Sequence, residues 1–212
     1  MKYCKVLPKK LIQNYQQWQA QSYQPKQDLF HQLSGAQSPE YMVISCCDSR
    51  VFASHILGES YTGEFFVHRN IANVVAPWKA DALYGGTSAA IEFALKVLKV
   101  RGVIVMGHSN CGGVAYYDQC AHQDKNNFEF LDDWLKILSP AYQKVEPMKE
   151  KQERLNSFEK ENILLSLHNI ASFPFAKTLL ENNKLTLYGL WHDIKNGQLS
   201  YYNAESASFE IL

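Results

Sequence analysis

The sequence predicts an α/β domain: a central, mostly parallel β-sheet of four to five strands flanked by helices. Three observations carry this reading. Short apolar runs rich in strand formers recur without polar alternation, the pattern of strands buried on both faces. Segments with helical spacing stand between those runs. The resulting strand, helix, strand order is that of a parallel sheet covered by helices.

Residues 9 to 35 place Leu11, Tyr15 and Trp18, then Leu29, Phe30 and Leu33, at helical spacing on an otherwise polar background. This predicts one or two amphipathic helices, broken near Pro25, that must lie on another surface. Tyr41 to Cys46 is the first strand, and Phe65-Phe66-Val67 the second. Ile91, Ala94, Leu95 and Leu98 form one face of a helix. Val103 to Met106, between Gly102 and Gly107, is the third strand. Ile163, Leu167 and Ile170 mark a helix within about 149–172. Leu185 to Leu190 is the fourth strand, and Leu199 to Tyr202 a fifth at the edge. The organisation is a helical arm over 1–35 and an α/β domain over 36–212, with no internal repeat or low-complexity tract.

The 212 residues carry 21 Lys plus Arg against 21 Asp plus Glu, a net charge of zero. That balance argues against a nucleic-acid binder working through a broad basic face. No run approaches the apolar length of a membrane span, and the first residues have no apolar signal core. Five cysteines is an odd number, which suits a reducing compartment where thiols stay free or bind metal. The expected location is cytoplasmic.

In open α/β sheets, ligands gather at the carboxyl ends of the strands. Two clusters fall there. Cys46-Cys47-Asp48-Ser49-Arg50 leaves the first strand, and Gly107-His108-Ser109-Asn110-Cys111-Gly112-Gly113 leaves the third. In extended chain, residues i and i+2 point the same way, so Cys46 and Asp48 could face one centre while Cys47 turns aside. His108 and Cys111 are three apart where a helix begins, a spacing that lets both converge. Two thiolates and an imidazole suit zinc, and a catalytic zinc keeps three protein ligands and one open position. Taken alone, His108 and Cys111 read more commonly as a hydrogen-bonded histidine and a buried cysteine, and Cys46 as a small buried hydrophobe; their combination at two neighbouring strand ends is what points to metal. A phosphatase-like loop fails on spacing, because Arg50 follows Cys46 by four positions. The 107–113 segment lacks the glycine pattern of a dinucleotide loop.

Ile44-Ser45-Cys46-Cys47-Asp48-Ser49-Arg50-Val51 resembles the first zinc motif of the β-class carbonic anhydrases, and Gly107 to Gly113 resembles the second. Gly63 to Asn73 and Ser88 to Ala94 resemble two further signatures of that family. The similarity spans about residues 26 to 203. It implies reversible hydration of carbon dioxide to bicarbonate and a proton, with one Zn2+ per subunit held by Cys46, His108 and Cys111. The metal would acidify a bound water. Arg50 would grip the Asp48 carboxylate in two parallel hydrogen bonds, leaving Asp48 to orient that water, or, in a closed state, to swing onto zinc itself. The resemblance also places Gln37, Phe66 and Phe93 in the carbon dioxide pocket, with Gly112 offering a backbone N–H. It implies a homodimer or a dimer of dimers, paired through exchanged N-terminal helices, with no nucleic-acid or membrane partner.

The chain departs from the family pattern in two places. Plant-type members tend to carry Tyr at the Phe93 position and His four residues on, where this chain has Val97. The usual proton relay is therefore altered, and His55, His68 and His122 are the substitutes to weigh. In the bicarbonate-regulated branch a Trp stands three residues before the first zinc cysteine. Val43 stands there in this chain, although Arg69 is present, and valine has no N–H to offer an anion. The resemblance thus implies an open site without cooperative bicarbonate inhibition. Hydrolysis of carbon disulfide or carbonyl sulfide on the same scaffold, and a non-catalytic structural zinc protein, are the alternatives. Cys4, Cys47 and Cys120 receive no role.

Overall fold

The structure, a computed structural model, describes residues 3–58, 62–79, 85–121 and 128–212. His122 lies outside them. The chain divides into two compact units, Met1–Gln37 and Ser38–Leu212.

In the first unit, helix α1 (Lys9–Trp18) runs into a wider turn over Gln19–Tyr23 and a tight turn over Gln24–Lys26, then into α2 (Gln27–Leu33). Pro25 sits in the tight turn, where its fixed φ and missing N–H favour a break. Trp18, Tyr23 and Phe30 cluster, with Tyr23 and Phe30 ring centroids 5.0 Å apart. No residue of either helix is buried.

The second unit is built on β1 (Tyr41–Cys46), β2 (Phe65–Asn70), β3 (Gly102–His108), β4 (Thr186–His192), β5 (Leu199–Asn203) and β6 (Ser208–Ile211). They form one sheet in the order β2-β1-β3-β4-β5-β6. The first four strands are parallel, and β5 and β6 add an antiparallel edge. The sheet therefore has six strands rather than four to five. The strand missing from the sequence reading, β6, is four residues long and alternates polar with apolar, so it carries no buried run. β2 also continues through His68, Arg69 and Asn70, polar residues at the open edge of the sheet.

Helices α3 (Ala53–Ile56), α4 (Gly86–Glu92, extended by a wider turn to Leu98), α5 (Gly112–Cys120), α6 (Leu131–Leu135), α7 (Ser139–Val145), α8 (Lys151–Ala171) and α9 (Pro174–Glu181) surround the sheet. Alternate residues of the central strands serve opposite faces. Met42, Ile44, Val103 and Val105 pack with Ile91 and Leu95 of α4 and Ile163 and Ile170 of α8. Val43, Ile104 and Met106 pack on the other side with Val51, Ala53 and Leu190. A third cluster, with Leu135, Leu138, Tyr142 and Phe158, gathers around Cys46 and Cys111.

The chain leaves β1 for β2 on one side and reaches β4 from β3 on the other. The strand order thus reverses between β1 and β3, and the crevice of an open α/β sheet lies at such a point. α8 seals the sheet nearby through a close approach to Gly107: an added Cβ there would stand 2.8 Å from Ile163 Cδ1 and 3.0 Å from its Cγ1. Ile163 is fully buried and has nowhere to retreat. Gly107→Ala is expected to destabilise the fold by about 1–3 kcal/mol, read as a lowered urea midpoint with an unchanged m-value.

Candidate metal centre and active site

Cys46 is the last residue of β1 and His108 the last of β3, so neighbouring strands bring the two side by side. After His108 the chain turns sharply. Asn110 takes a left-handed φ of 56°, and Cys111 arrives extended as the residue that begins α5. Gly113, in the first turn of α5, lets that helix press on the turn that follows β2, since a Cβ there would meet Ala72 and Ile71 at 3.0 Å.

The outcome is a buried triad. The ligand atoms of Cys46, His108 and Cys111 all lie within 4.8 Å of one another. The two sulfurs are 3.9 Å apart. Two sulfurs each about 2.3 Å from one tetrahedral ion stand roughly 3.8 Å apart, so the spacing fits a single metal. His108 Nδ1 lies 3.0 Å from the Ser109 carbonyl and donates to it. That bond leaves the Nε2 lone pair free to ligate. Nε2 is buried and has no hydrogen-bond partner. A fully buried, unpartnered imidazole nitrogen beside two thiols is costly unless a metal takes it. The hydrogen bond from Cys111 holds Cys46 well below the ordinary thiol range, and that same contact, with burial, pushes Cys111 up.

Asp48 stands beside the triad, its Oδ2 3.9 Å from His108 Nε2. Arg50 grips it in a fork: Nε to Oδ1 at 2.9 Å and Nη2 to Oδ2 at 2.7 Å. The Arg50 backbone N–H adds a third bond to Oδ1 at 2.9 Å. These bonds hold the Asp48 carboxyl well below the usual carboxylate range. Arg50 Nη2 also reaches the Asn110 carbonyl at 3.1 Å, tying the loop after β1 to the loop after β3.

Cys47 is exposed, turned away from the buried Cys46. The Phe66 and Phe93 rings pack on each other with centroids 5.7 Å apart, and Phe93 is partly open to solvent. Gly112 has open space where a side chain would stand. Gln37 belongs to the first unit and is exposed. His68 Nε2 is 3.0 Å from Thr87 Oγ1, and burial pushes its pKa down. His55 is exposed and stacks on Phe52.

The sequence reading missed two contributors. Arg69 donates to the carbonyls of Cys46, Asp48 and Val51 at 2.9, 2.7 and 2.9 Å, with its guanidinium over the Phe52 ring. It therefore braces the loop that carries Cys46 and Asp48. Glu159 of α8, almost wholly buried, accepts from the Cys111 backbone N–H and from Trp191 Nε1, both at 3.0 Å. Burial pushes its pKa up to about 7 against those two donors. Polar residues amid the apolar spacing of the 149–172 helix were the available signal for Glu159.

A soft-ligand metal triad at the switch point of a mostly parallel sheet, with a clamped carboxylate at its mouth, is the arrangement of a metal-dependent α/β enzyme. Residues 41–199 match the family model described as carbonic anhydrase. The chain is 33% identical over 191 residues to beta carbonic anhydrase 3 of Arabidopsis thaliana, covering 87% of this chain and 72% of that protein. Its fold is similar to that of the β-carbonic anhydrase CcaA, with a TM-score of 0.88 and 30% identity, over 96% of this chain and 91% of that one. A solved structure of tetrameric β-carbonic anhydrases from Sordaria macrospora matches with a TM-score of 0.78 and 28% identity, over 92% and 95%. The chain belongs to the carbonic anhydrase family, in its β class, and is an enzyme of that kind.

Proposed function

We propose that the chain catalyses the reversible hydration of carbon dioxide to bicarbonate and a proton with one zinc ion per subunit. The observation that carries this reading is the buried Cys46–His108–Cys111 triad with the orphaned His108 Nε2 aimed into it. Zinc in that triad would acidify a water molecule and supply hydroxide near neutral pH. The chain's own residues do the rest. Asp48 accepts a hydrogen bond from the attacking water and so aims its lone pair at carbon dioxide. Arg50 fixes the Asp48 carboxylate in that pose. Phe66 and Phe93 offer an apolar wall suited to a small apolar substrate, and the Gly112 N–H is a donor for a bicarbonate oxygen.

Two thiolates would cancel the charge of a divalent ion held there, so a bound water would be acidified less than at a tris-histidine site, and activity is expected to rise toward alkaline pH. Asp48 does not cause that rise. Its pKa is depressed, so it is already ionised at neutral pH and stays so. By the same sign, the stability it lends is present above the unfolded carboxylate pKa and lost only as pH falls through its lower folded value.

Stopped-flow hydration of carbon dioxide, with zinc quantified on the same sample, tests the reading. The expected result is one zinc per chain and a rate that climbs between pH 7 and 9. A zinc-loaded protein that does not hydrate carbon dioxide, or a flat profile over that range, would overturn it.

Bicarbonate is expected to inhibit without cooperativity, because Val43 is wholly buried in β1 and Arg69 is engaged by three carbonyls. A homo-oligomer, dimer or dimer of dimers, is part of this proposal, supported by the unburied apolar face of α1 and α2. A cytoplasmic, reducing location suits a site that depends on two thiolates.

A further inference from the structure

Cys111 both begins α5 and belongs to the metal triad. A residue that begins a helix commonly caps it with its own side chain. Cys111 makes no such bond, and its sulfur faces Cys46 at 3.9 Å instead. Its backbone N–H lies before the helix ladder, in a residue only 1% exposed. In a capping box that N–H is taken by a Glu or Gln three residues on. Here the third residue is Val114, which has no acceptor.

Glu159 supplies the missing acceptor from another helix. Its Oε1 accepts the Cys111 N–H and its Oε2 accepts Trp191 Nε1 of β4, both at 3.0 Å. Trp191 pairs in the sheet with Gly107, the residue before His108. With no side chain at Gly107, α8 comes close, and the Glu159 carbonyl is 3.6 Å from where a Cβ there would stand. A carboxylate this deeply buried is costly unless its oxygens find donors, and both of them have one. The other end of the same peptide is held as well. Arg50 Nη2 donates to the Asn110 carbonyl at 3.1 Å, and that carbonyl and the Cys111 N–H belong to one peptide unit. Arg50 on one side and Glu159 on the other therefore fix the plane of the Asn110–Cys111 peptide. That plane closes a strained turn, because Asn110 has a φ of 56°, a left-handed conformation that residues with side chains adopt at a cost. Released, the turn is free to relax, and the Cys111 sulfur loses its fixed place beside Cys46 and His108.

The other buried polar residues of α8 serve a different segment. Asn162, Ser166 and Asn169 hydrogen-bond the backbone of residues 72–75, where Ala72 and Asn73 have φ of 63° and 47°. We infer that Glu159 is a positioning residue for the Cys111 ligand: opposite Arg50, and anchored by Trp191, it clamps the Asn110–Cys111 peptide and so places the sulfur. The inference rests on the zinc reading above. Glu159→Met keeps an unbranched side chain of similar length and removes both acceptors. Asn169→Ala, ten residues and about 15 Å further along the helix, cuts the bond to the Val75 carbonyl instead.

The test challenges the zinc-loaded protein with a colorimetric chelator at one fixed pH. It also reads the cobalt-substituted protein by its ligand-field absorption, which depends on the angles between the donors. Glu159→Met is expected to weaken zinc retention about 10–100-fold and to shift the cobalt bands. Asn169→Ala is expected to lower the thermal midpoint while leaving both readouts as in the parent. Parental retention or unmoved bands in a folded Glu159→Met protein would overturn the inference. So would an Asn169→Ala protein that changes both as far. If the methionine variant does not fold, Glu159→Gln is read in the same two assays. Its amide offers one oxygen where two N–H groups face two, so part of the loss is expected, and parental values would again overturn the inference. A parent that binds neither zinc nor cobalt would overturn the zinc reading itself, and the inference with it.

Discussion

Cys111→Ser and His108→Ala are each expected to release the metal and abolish the activity together. His108 is completely buried and Cys111 almost so. With either gone, two donors face a space shaped for one ion, and no other His, Cys, Asp or Glu among the described residues completes a buried triad there. Asp48 is the nearest further donor, but Arg50 occupies both of its oxygens. Metal content should fall from one per chain to below about a tenth, because affinity for a structured site is lost with its ligand count. Hydration should fall at least about 10³-fold, since no acidified water remains. The two variants separate the causes. His108→Ala also opens a cavity in the core and lowers stability, whereas serine replaces the Cys111 sulfur with little change of volume. Metal analysis beside circular dichroism reads both. Full metal occupancy in a folded Cys111→Ser protein would remove Cys111 from the ligand set.

The parallel part of the sheet was legible because its centre is buried on both faces. Met42 to Cys46 and all of β3 have no solvent side, so the residues form unbroken apolar runs. β6 was not legible for the opposite reason. Ser208 and Glu210 are polar, the strand is four residues long, and its place is set by pairing with β5 after a turn in which Ala207 takes a φ of 50°. The ligand triad was legible because strand geometry fixes where residues at i and i+2 point, and because cysteine and histidine are chemically distinctive. Arg69 was noted only as present in the motif of the regulated branch, and its bracing role was not legible. Its three acceptors are backbone carbonyls, and a carbonyl leaves no mark in a sequence. α8 hid its role in a different way. A polar residue at helical spacing normally marks the solvent face, and Asn162, Ser166 and Asn169 were given no role in the sequence. They lie inside because the strained segment over 72–75 needs hydrogen bonds that the sheet does not provide.

Asp48→Ala is expected to keep the metal and lose most of the turnover. Asp48 holds no ligand position in this structure. Its Oδ2 lies 3.9 Å from His108 Nε2, and three donors from Arg50 fix it there. Removing the carboxylate leaves Cys46, His108 and Cys111 in place, so zinc content should stay near one per chain. The fold should hardly notice, because the Arg50 side chain is half-exposed and exposed ion pairs contribute only about 0–1 kcal/mol. Catalysis should notice strongly. A positioned group that accepts a proton or orients the attacking water is worth about 10²–10⁴-fold, and kcat/KM for hydration should drop within that range at every pH from 7 to 9. The uniform drop follows from the sign of the pKa shift: a carboxyl already ionised at neutral pH adds no titration of its own. Arg50→Gln is the companion measurement. It leaves the carboxylate but frees it to rotate and unties the Asn110 carbonyl, so its rate should fall between those of the parent and Asp48→Ala. A zinc-loaded Asp48→Ala protein that turns over like the parent would reduce the Asp48–Arg50 pair to a brace between the two ligand loops, and the attacking water would need another group to orient it.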